Sequence, residues 1–331
     1  MRGIMTVQFV KVKAQDDDIR LDRWFARHYP TLKNGQLQRL LRAKNIKVNN
    51  QKATASQHLF VGDEIRIPPL TVSEKSNLPR DLSKADVQFM KSLVLYKDKD
   101  VIVLNKPAGI AVQGGSKTER HIDGLLDALR FELDEKPHLV HRLDKDTSGI
   151  LVIGRTANAA AKLSASFKSR EAKKIYWAVV VGKPKLTSGK VDAPLIKKSG
   201  AKGGEQMAID FDNGDKALTL YRVVDSLARK ASWLEMSPLT GRTHQLRVHA
   251  AEALNSPIIG DSKYGGERSF AVGIENNKKL HLHARAIRIP HPEKGMIEVI
   301  APLPKHMLDT FEFLGFNEKD ISRPFDFFTE E

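Results

Sequence analysis

A polar segment interrupted by prolines divides the chain into two parts that must fold separately. It opens on Pro68-Pro69, contains a third proline at Pro79 and runs on as polar sequence to about residue 90. Proline cannot continue a helix or the interior of a sheet, so this composition is typical of a linker. The 331 residues suffice for two domains of ordinary size. The sequence predicts an N-terminal extension (1–18), a first domain (19–68), a linker (69–91) and a second domain (92–331).

The first part is strongly basic. The whole chain has 54 Lys and Arg against 40 Asp and Glu, a net charge of +14, and residues 30–55 hold six cationic side chains without one acid. An ordinary soluble surface interleaves both signs, so contact with a phosphate backbone explains this stretch better than a solvated face does. The residues that we predict to bind RNA here are Lys33, Arg39, Arg42, Lys44, Lys47 and Lys52.

Two short amphipathic helices and a few short strands are predicted in this basic part. Apolar residues recur at helical spacing in 20–29 and again in 36–44, and Asn49-Asn50 suits a tight turn between short strands. The segments RLDRWFA, LQRLLRAKNIKVNN and VGDEIRI, within residues 19–68, resemble the S-four-type RNA-binding domain, the module named after ribosomal small-subunit protein four. The resemblance implies an RNA-binding role.

The second part reads as rich in strands. Apolar runs of strand length occur at Val101–Leu104, at Ile150–Ile153 and in KKIYWAVVV from residue 173, while 156–171 and His244–Ala253 have helical patterns. The strands adjoin one another instead of alternating regularly with helices. This order predicts an α+β domain with a mainly antiparallel sheet, not a doubly wound fold.

Several classes of function are excluded or disfavoured. The absence of cysteine removes thiolate catalysis, iron–sulfur clusters and Cys-ligated zinc. No apolar run approaches the ~18 residues of a membrane span, and no secretory signal is recognisable, so we expect a cytoplasmic protein without a membrane partner. His281 and His283 share one face of a strand but have no acidic neighbour, so no metal site is predicted. Glycine-rich nucleotide-binding patterns are absent.

Two polar segments could carry chemistry. In HRLDKDTSG, residues 141–149, Asp144 precedes a buried strand and is a candidate nucleophile or base, although an Asx-type turn with local ion pairs is the alternative. In TGRTHQLRVH, Arg242, His244, Gln245 and Arg247 stand at a strand-to-helix junction. That junction suits a phosphate, and an ordinary capped helix start is the alternative.

Taken together, these segments resemble RNA pseudouridine synthases of the RluA type. The resemblance covers about residues 92–305 and rests on NKPAG, HRLDKDTSGILV, KKIYWAVV, LTGRTHQLRVH, PIIGDSKYG and HLHARAI, in that order. It implies a pseudouridine synthase catalytic domain that isomerises uridines in large-subunit (23S) ribosomal RNA or its precursor. Such a reaction needs no metal or organic cofactor, and a monomer is expected.

The resemblance also implies roles for individual residues. Asp144 matches the catalytic nucleophile, Tyr176 the tyrosine that stacks on the target uracil, and Arg247 the basic residue that pairs with the catalytic aspartate. Arg142 and Arg242 are predicted to bind RNA phosphates beside them. Whether Asp144 attacks the sugar, attacks the base or removes a proton stays open.

Two other functions remain possible from the sequence: a non-catalytic, ribosome-associated RNA-binding protein, and a metal-dependent nuclease. Residues 307–331 have a composition of their own, with seven acids, two bases and six phenylalanines. We expect these phenylalanines to pack on the catalytic domain.

Overall fold

A computed structural model divides the chain into two compact units, Met1–Pro79 and Arg80–Glu331. The structure describes residues 6–29, 32, 34–70, 82–114, 120–199, 205–271, 273–274, 277–321 and 323–328. Lys33, one of the predicted RNA-binding residues, lies outside them. No helix in this described part is long and apolar enough to span a membrane.

The first unit packs two short helices and small antiparallel sheets around one core. Helix α1 buries Leu21, Trp24 and Phe25, and the two asparagines that join β3 to β4, Asn49 and Asn50, have φ of 49° and 59°. Positive φ at both central residues is the geometry of a tight hairpin turn. The helices, short strands and turn predicted here are therefore confirmed. The elements are β1 (Gln8–Lys11), β2 (Ile19–Arg20), α1 (Leu21–His28), α2 (Asn34–Arg42), β3 (Lys47–Val48), β4 (Gln51–Lys52), β5 (His58–Leu59) and β6 (Glu64–Ile67).

The segment predicted as a linker contains the first helix of the second unit. Helix α3 (Lys84–Ser92) begins after Ser83, whose side chain accepts a hydrogen bond from the Asp86 N–H, and Met90 is fully buried in a hydrophobic core. The sequence prediction started the second domain at residue 92. It missed this helix because only Val87 and Met90 form an apolar stripe, and the surrounding prolines and charges obscured it.

A large sheet organises the second unit. In the described residues ten strands join, in the order β12-β15-β16-β11-β17-β10-β8-β7, with β18 on β17 and β9 on β10. All of the ladder pairs are antiparallel except β10 with β17, so the predicted, mainly antiparallel sheet is confirmed. A separate hairpin, β13–β14, stands beside it.

The bounds of the strands and helices in the second unit follow chain order. The strands are β7 (Val94–Lys97), β8 (Val101–Lys106), β9 (His138–Leu139), β10 (Ser148–Gly154), β11 (Lys173–Val181), β12 (Ser188–Asp192), β13 (Leu195–Ser199), β14 (Glu205–Ile209), β15 (Leu218–Leu227), β16 (Ala231–Pro238), β17 (Leu282–Pro290) and β18 (Met296–Ile300). The helices after α3 are α4 (Ile122–Leu125), α5 (Ala157–Ser169), α6 (Gln245–Val248), which continues as a π-helical turn (His249–Ala253), and α7 (Lys305–Leu314).

The centre of the sheet positions the segments that carry the motifs. Every residue of β10 is buried, and this strand pairs antiparallel with β8 and parallel with β17. Strand β11 lies between β16 and β17, so the loop before β10 and the start of β11 come to the same region of the sheet. The predicted packing of the Phe-rich end is also found, since Phe311, Phe316 and Phe325 are buried with Trp177 and Trp233.

Candidate active site

Asp144 lies in a tight loop between β9 and β10. The Thr147 N–H donates to the backbone carbonyl of Asp144 at 3.2 Å, so the turn closes through the main chain and not through the carboxylate. The Asx-type alternative would have used the side chain. The Asp144 carboxylate instead faces a cleft and is about one-fifth exposed.

Lys106, from the NKPAG segment, ties this loop to the sheet. Its buried ammonium donates to the carbonyls of Pro107, Ile110 and Lys145, at 2.9, 3.0 and 3.0 Å. Burial lowers the pKa of Lys106 to about 8, against the opposing charges of Asp146 and Asp144. Because one of the three carbonyls belongs to the residue after Asp144, this ammonium fixes the backbone that carries the carboxylate.

Tyr176 enters the same cleft from β11. The register of β11 against β17 shifts between Ile175 and Tyr176, a bulge of the kind that redirects side chains beside active sites. Burial, and then the charge of Asp144, raise the pKa of Tyr176 well above its ordinary value, so its hydroxyl stays protonated.

Arg247 has a different partner from the one that the sequence predicts. Its Nε and Nη2 donate to the Asp261 carboxylate at 2.8 and 2.6 Å in a buried, two-point ion pair. Burial alone would lower the pKa of Arg247, but Asp261 and, more weakly, the charge of Asp144 raise it. Arg247 thus lines the cleft near Asp144 while Asp261 holds its orientation, and the predicted direct pairing is not the arrangement found.

His244 is the charged neighbour that stands directly beside Asp144. Its Nε2 is 3.8 Å from Asp144 Oδ2, and its Nδ1 is 2.6 Å from the Tyr264 hydroxyl. Burial lowers the pKa of His244, while Asp144 acts in the opposite direction. The residue precedes α6 with φ of 55°, a left-handed conformation that is uncommon outside glycine.

These side chains share one cleft of about 730 Å³, which lies within the size range of small-ligand sites. It brings together Asp144, Tyr176 and Arg247, with Arg142 and Arg242 on its walls. Arg142 is exposed, whereas Arg242 also pairs with Asp215 at 3.1 Å. Among the described residues that line it, Asp144 is the single acid against seven lysines and arginines.

The remaining predicted RNA-binding cations lie in the first unit and fall into two groups. Arg39 and Arg42 are exposed on α2, with Lys44 exposed in the turn after it. Lys47 and Lys52 lie opposite each other on β3 and β4.

Some features of the cleft were missed by the sequence prediction. Four of its cations come from the end of α5 and the start of β11, and the tail contributes two phenylalanines: Lys168, Arg170, Lys173, Lys174, Phe325 and Phe328. The run KSREAKK from residue 168 was a visible signal for the cations. Asp261 and Tyr264 stand in the quoted PIIGDSKYG segment, but nothing in its spacing points to Arg247 or His244.

Within the described residues, no group of three or more histidine, aspartate or glutamate side chains is placed to hold a metal ion. A concave, cationic cleft around one carboxylate fits an enzyme that acts on a phosphate-bearing polymer. Comparison with known proteins specifies the class. Residues 100–252 match the family model for RNA pseudouridylate synthase.

Relatives extend the match over most of the chain. The chain is 38% identical to ribosomal large subunit pseudouridine synthase C of Rickettsia felis, covering 88% of this chain and 95% of the relative. It is 33% identical to the mitochondrial RNA pseudouridine synthase 4 of Arabidopsis thaliana, covering 92% and 81%. The solved structure of human RNA pseudouridylate synthase domain containing 4 superposes with a TM-score of 0.58 at 29% identity, covering 70% of this chain and 97% of that one. The chain therefore belongs to the RNA pseudouridine synthase family, and it is an isomerase that acts on RNA.

Proposed function

We propose that this protein isomerises specific uridines to pseudouridine in large-subunit (23S) ribosomal RNA, with Asp144 as the catalytic nucleophile. The observation that carries the proposal is the position of Asp144. It is the single acidic side chain among the described residues of a cleft lined by seven lysines and arginines. The names of relatives that match most of the chain support ribosomal RNA of the large subunit as the substrate.

The reaction needs a carboxylate held against one nucleoside. The glycosidic bond breaks, the base turns over and a bond forms to carbon, so no atom is gained and no electron is transferred. Asp144 acts as the nucleophile, and the cationic surroundings favour its charged form. Arg247, held by Asp261, contributes a fixed positive charge near the carboxylate.

The target base must leave the RNA stack to reach this carboxylate. A cleft of about 730 Å³ accommodates one extruded nucleoside, and Tyr176 offers an aromatic surface on which its base stacks. Stacking of this kind is worth ~1–3 kcal/mol per base. Arg142 and Arg242 hold the phosphates on either side without selecting sequence.

The basic first unit binds the same RNA away from the target uridine. Its resemblance to the S-four-type RNA-binding domain and its acid-free stretch support this role, with Arg39, Arg42, Lys44, Lys47 and Lys52 as phosphate contacts. Lys33 belongs to the same predicted set. The enzyme works in the cytoplasm as a monomer, without a cofactor.

Replacing Asp144 by asparagine tests the proposal. Asp144→Asn removes the nucleophile with little change in volume, so turnover on a large-subunit rRNA transcript falls below detection while the affinity for the transcript changes by less than about threefold. The measurement is chemical mapping of pseudouridines along the transcript, together with a binding titration.

Asp146→Asn is the matched control, because Asp146 is an exposed carboxylate of the same loop. It should retain most of the parent turnover. Near-parent turnover by Asp144→Asn would refute the nucleophile. A parent protein that binds the transcript and leaves every uridine unchanged would instead favour the non-catalytic RNA-binding alternative.

A further inference from the structure

The four-stranded sheet of the first unit aligns one aromatic and three cationic side chains in a single row. Its strand order is β1-β6-β3-β4. Phe9 lies opposite Arg66, Arg66 opposite Lys47, and Lys47 opposite Lys52. Residues directly opposite each other in antiparallel strands share a face, so these four side chains point to the same side of the sheet. With strands about 4.8 Å apart, the row spans roughly 14 Å.

This face is the outer one. The residues that alternate with the row, among them Val48 and Ile65, point into the core of the unit and are 3% and 0% exposed. Phe9 is 61% exposed, Lys52 is exposed, and Lys47 and Arg66 are partly exposed. The row therefore combines an accessible ring with three cations that follow one another across the strands.

The described part of the chain supplies no partner that would account for these side chains. Neither the ion pairs nor the ring contacts among the described residues include any of the four. Arg66 donates through Nη1 to the carbonyl of Asn45 at 2.8 Å, which steadies its guanidinium on the sheet. The neighbouring row is different, since Lys11 stands opposite Glu64, so its charges cancel.

We infer that this row, Phe9–Arg66–Lys47–Lys52, is a binding surface for single-stranded RNA. A base stacks on Phe9, and the phosphates of the nucleotides that follow lie along the three cations. The argument is charge complementarity joined to an exposed aromatic surface, which is the combination that single-strand binding uses. The inference rests on the proposed function for the identity of the partner, and it separates Lys47 and Lys52 from the cations on α2.

The test measures RNA binding by the full chain without relying on turnover. The probe is an unstructured, adenosine-rich RNA of about 12 nucleotides that contains no uridine, titrated over a series of potassium chloride concentrations. Phe9→Ala should weaken binding about fivefold or more without altering the salt dependence, because a ring carries no charge. Phe9→Tyr should restore the affinity, which separates loss of stacking from loss of folding.

The double variant Lys47→Gln/Lys52→Gln should reduce the slope of log affinity against log salt by about 1.4, since each neutralised phosphate contributes ~0.7 on a single strand. Matched controls lie off the sheet. Phe60 is 56% exposed outside the four strands, and Lys13 and Lys84 are exposed cations elsewhere in the chain. Phe60→Ala and Lys13→Gln/Lys84→Gln should leave affinity and slope close to those of the parent.

Two results would overturn the inference: an unchanged affinity for Phe9→Ala, or an equal loss of slope in the Lys13/Lys84 control, which would mean a diffuse field instead of a row. Failure of the proposed function is seen separately. It appears as an absence of pseudouridine in transcripts treated with the parent protein, whatever the binding titrations give.

Discussion

His244 presents a defined nitrogen to Asp144 because its other nitrogen is already engaged. The Tyr264 oxygen accepts a hydrogen bond from the Met207 N–H at 3.2 Å, so the Tyr264 hydroxyl is the donor to His244 Nδ1. The proton of the neutral imidazole then resides on Nε2, on the side of the Asp144 carboxylate. A histidine kept in a left-handed conformation beside the carboxylate is strain of the kind that clusters at functional sites.

Removing the Tyr264 hydroxyl tests this arrangement. Tyr264→Phe should lower kcat about tenfold and leave KM nearly unchanged, because the imidazole loses its orientation while the phosphate contacts remain. Initial rates on an rRNA transcript over a range of RNA concentrations give both constants. Tyr221→Phe is the control, since its hydroxyl bonds only to the Leu186 carbonyl among the described groups, at 3.3 Å. Equal kcat values for the two variants would rule out the orienting role.

Gly149 is the residue that permits the closest approach of two central strands. It has φ of 106°, and a Cβ there would collide with the carbonyl of Ala284 on β17 and stand 2.7 Å from its nitrogen. The parallel contact between β10 and β17 begins at this point. The glycine therefore determines how the Asp144 loop enters the sheet.

Gly149→Ala should destabilise the protein by about 3 kcal/mol or more, from the backbone collision and the strained φ together. Urea denaturation measures the loss. Gly35→Ala is the control, because nothing lies within 4 Å of its added Cβ and its site is helical. That change should be neutral or slightly stabilising. Similar denaturation midpoints for Gly149→Ala and the parent would contradict the collision.

At the scale of residues, the sequence located the carboxylate and the tyrosine but not their supports. Asp144 and Tyr176 stand in motifs whose order is readable along the chain, and both line the cleft. The partners of Arg247 and His244, namely Asp261 and Tyr264, depend on how the segment after α6 folds back. No local spacing encodes that return, so the pairing of Arg247 was predicted wrongly.

At the scale of elements, helix α7 joins the Phe-rich end of the chain to the sheet. Phe311 is 3% exposed and packs with the rings of Trp177 and Trp233, at centroid distances of 6.2 and 4.9 Å. Phe313, on the same helix, is 59% exposed. The tail beyond the helix then brings Phe325 and Phe328 to the wall of the cleft.

Phe311→Ala should cost about 3–5 kcal/mol of unfolding free energy, the usual loss when a buried phenylalanine is truncated. Phe313→Ala, the matched change on the exposed face, should cost less than about 0.5 kcal/mol. Chemical denaturation of the two variants under one set of conditions gives the comparison. Equal losses would mean that α7 is not held by its buried face.

Strands and helices differed in how well they could be predicted. The strands β8, β10 and β11 are continuous apolar runs, and each was predicted within a few residues. Helix α3 was missed, since its burial depends mainly on Met90 and tertiary packing outweighs so short a pattern. The bulge before Tyr176 also arises from pairing with β17, which sequence periodicity does not contain.

At the scale of the whole molecule, the excess positive charge lies where an RNA would need it. Seven lysines and arginines surround Asp144 in the second unit, and a cationic row crosses the sheet of the first. The net charge predicted a polyanionic partner, but the sequence could not show which cations share a surface. Registers and the return of the chain decide that.

Buried histidines make the second unit sensitive to mild acid. His281 and His283 are fully buried, and their rings bond to Thr310 and Ser148 at 2.8 and 2.9 Å. Burial is the main cause that lowers the pKa of His281 to about 4 and that of His283 to about 3. Both rings are therefore neutral in the folded protein at pH 5, whereas an exposed histidine has a pKa near 6.5.

Stability should fall as the pH falls from about 6.5 to 5. In that window the unfolded chain binds protons that the folded chain does not, so each histidine costs up to about 2 kcal/mol of unfolding free energy at pH 5. Carboxylates with lowered pKa titrate below this window. Urea denaturation at both pH values measures the slope through Trp177 and Trp233, in a Trp24→Phe background that silences the first unit. His283→Gln should reduce the pH slope, even though it lowers stability at pH 7, because one proton-linked group is gone. A pH-independent midpoint in the parent, or an unchanged slope in His283→Gln, would show that these rings do not control acid stability.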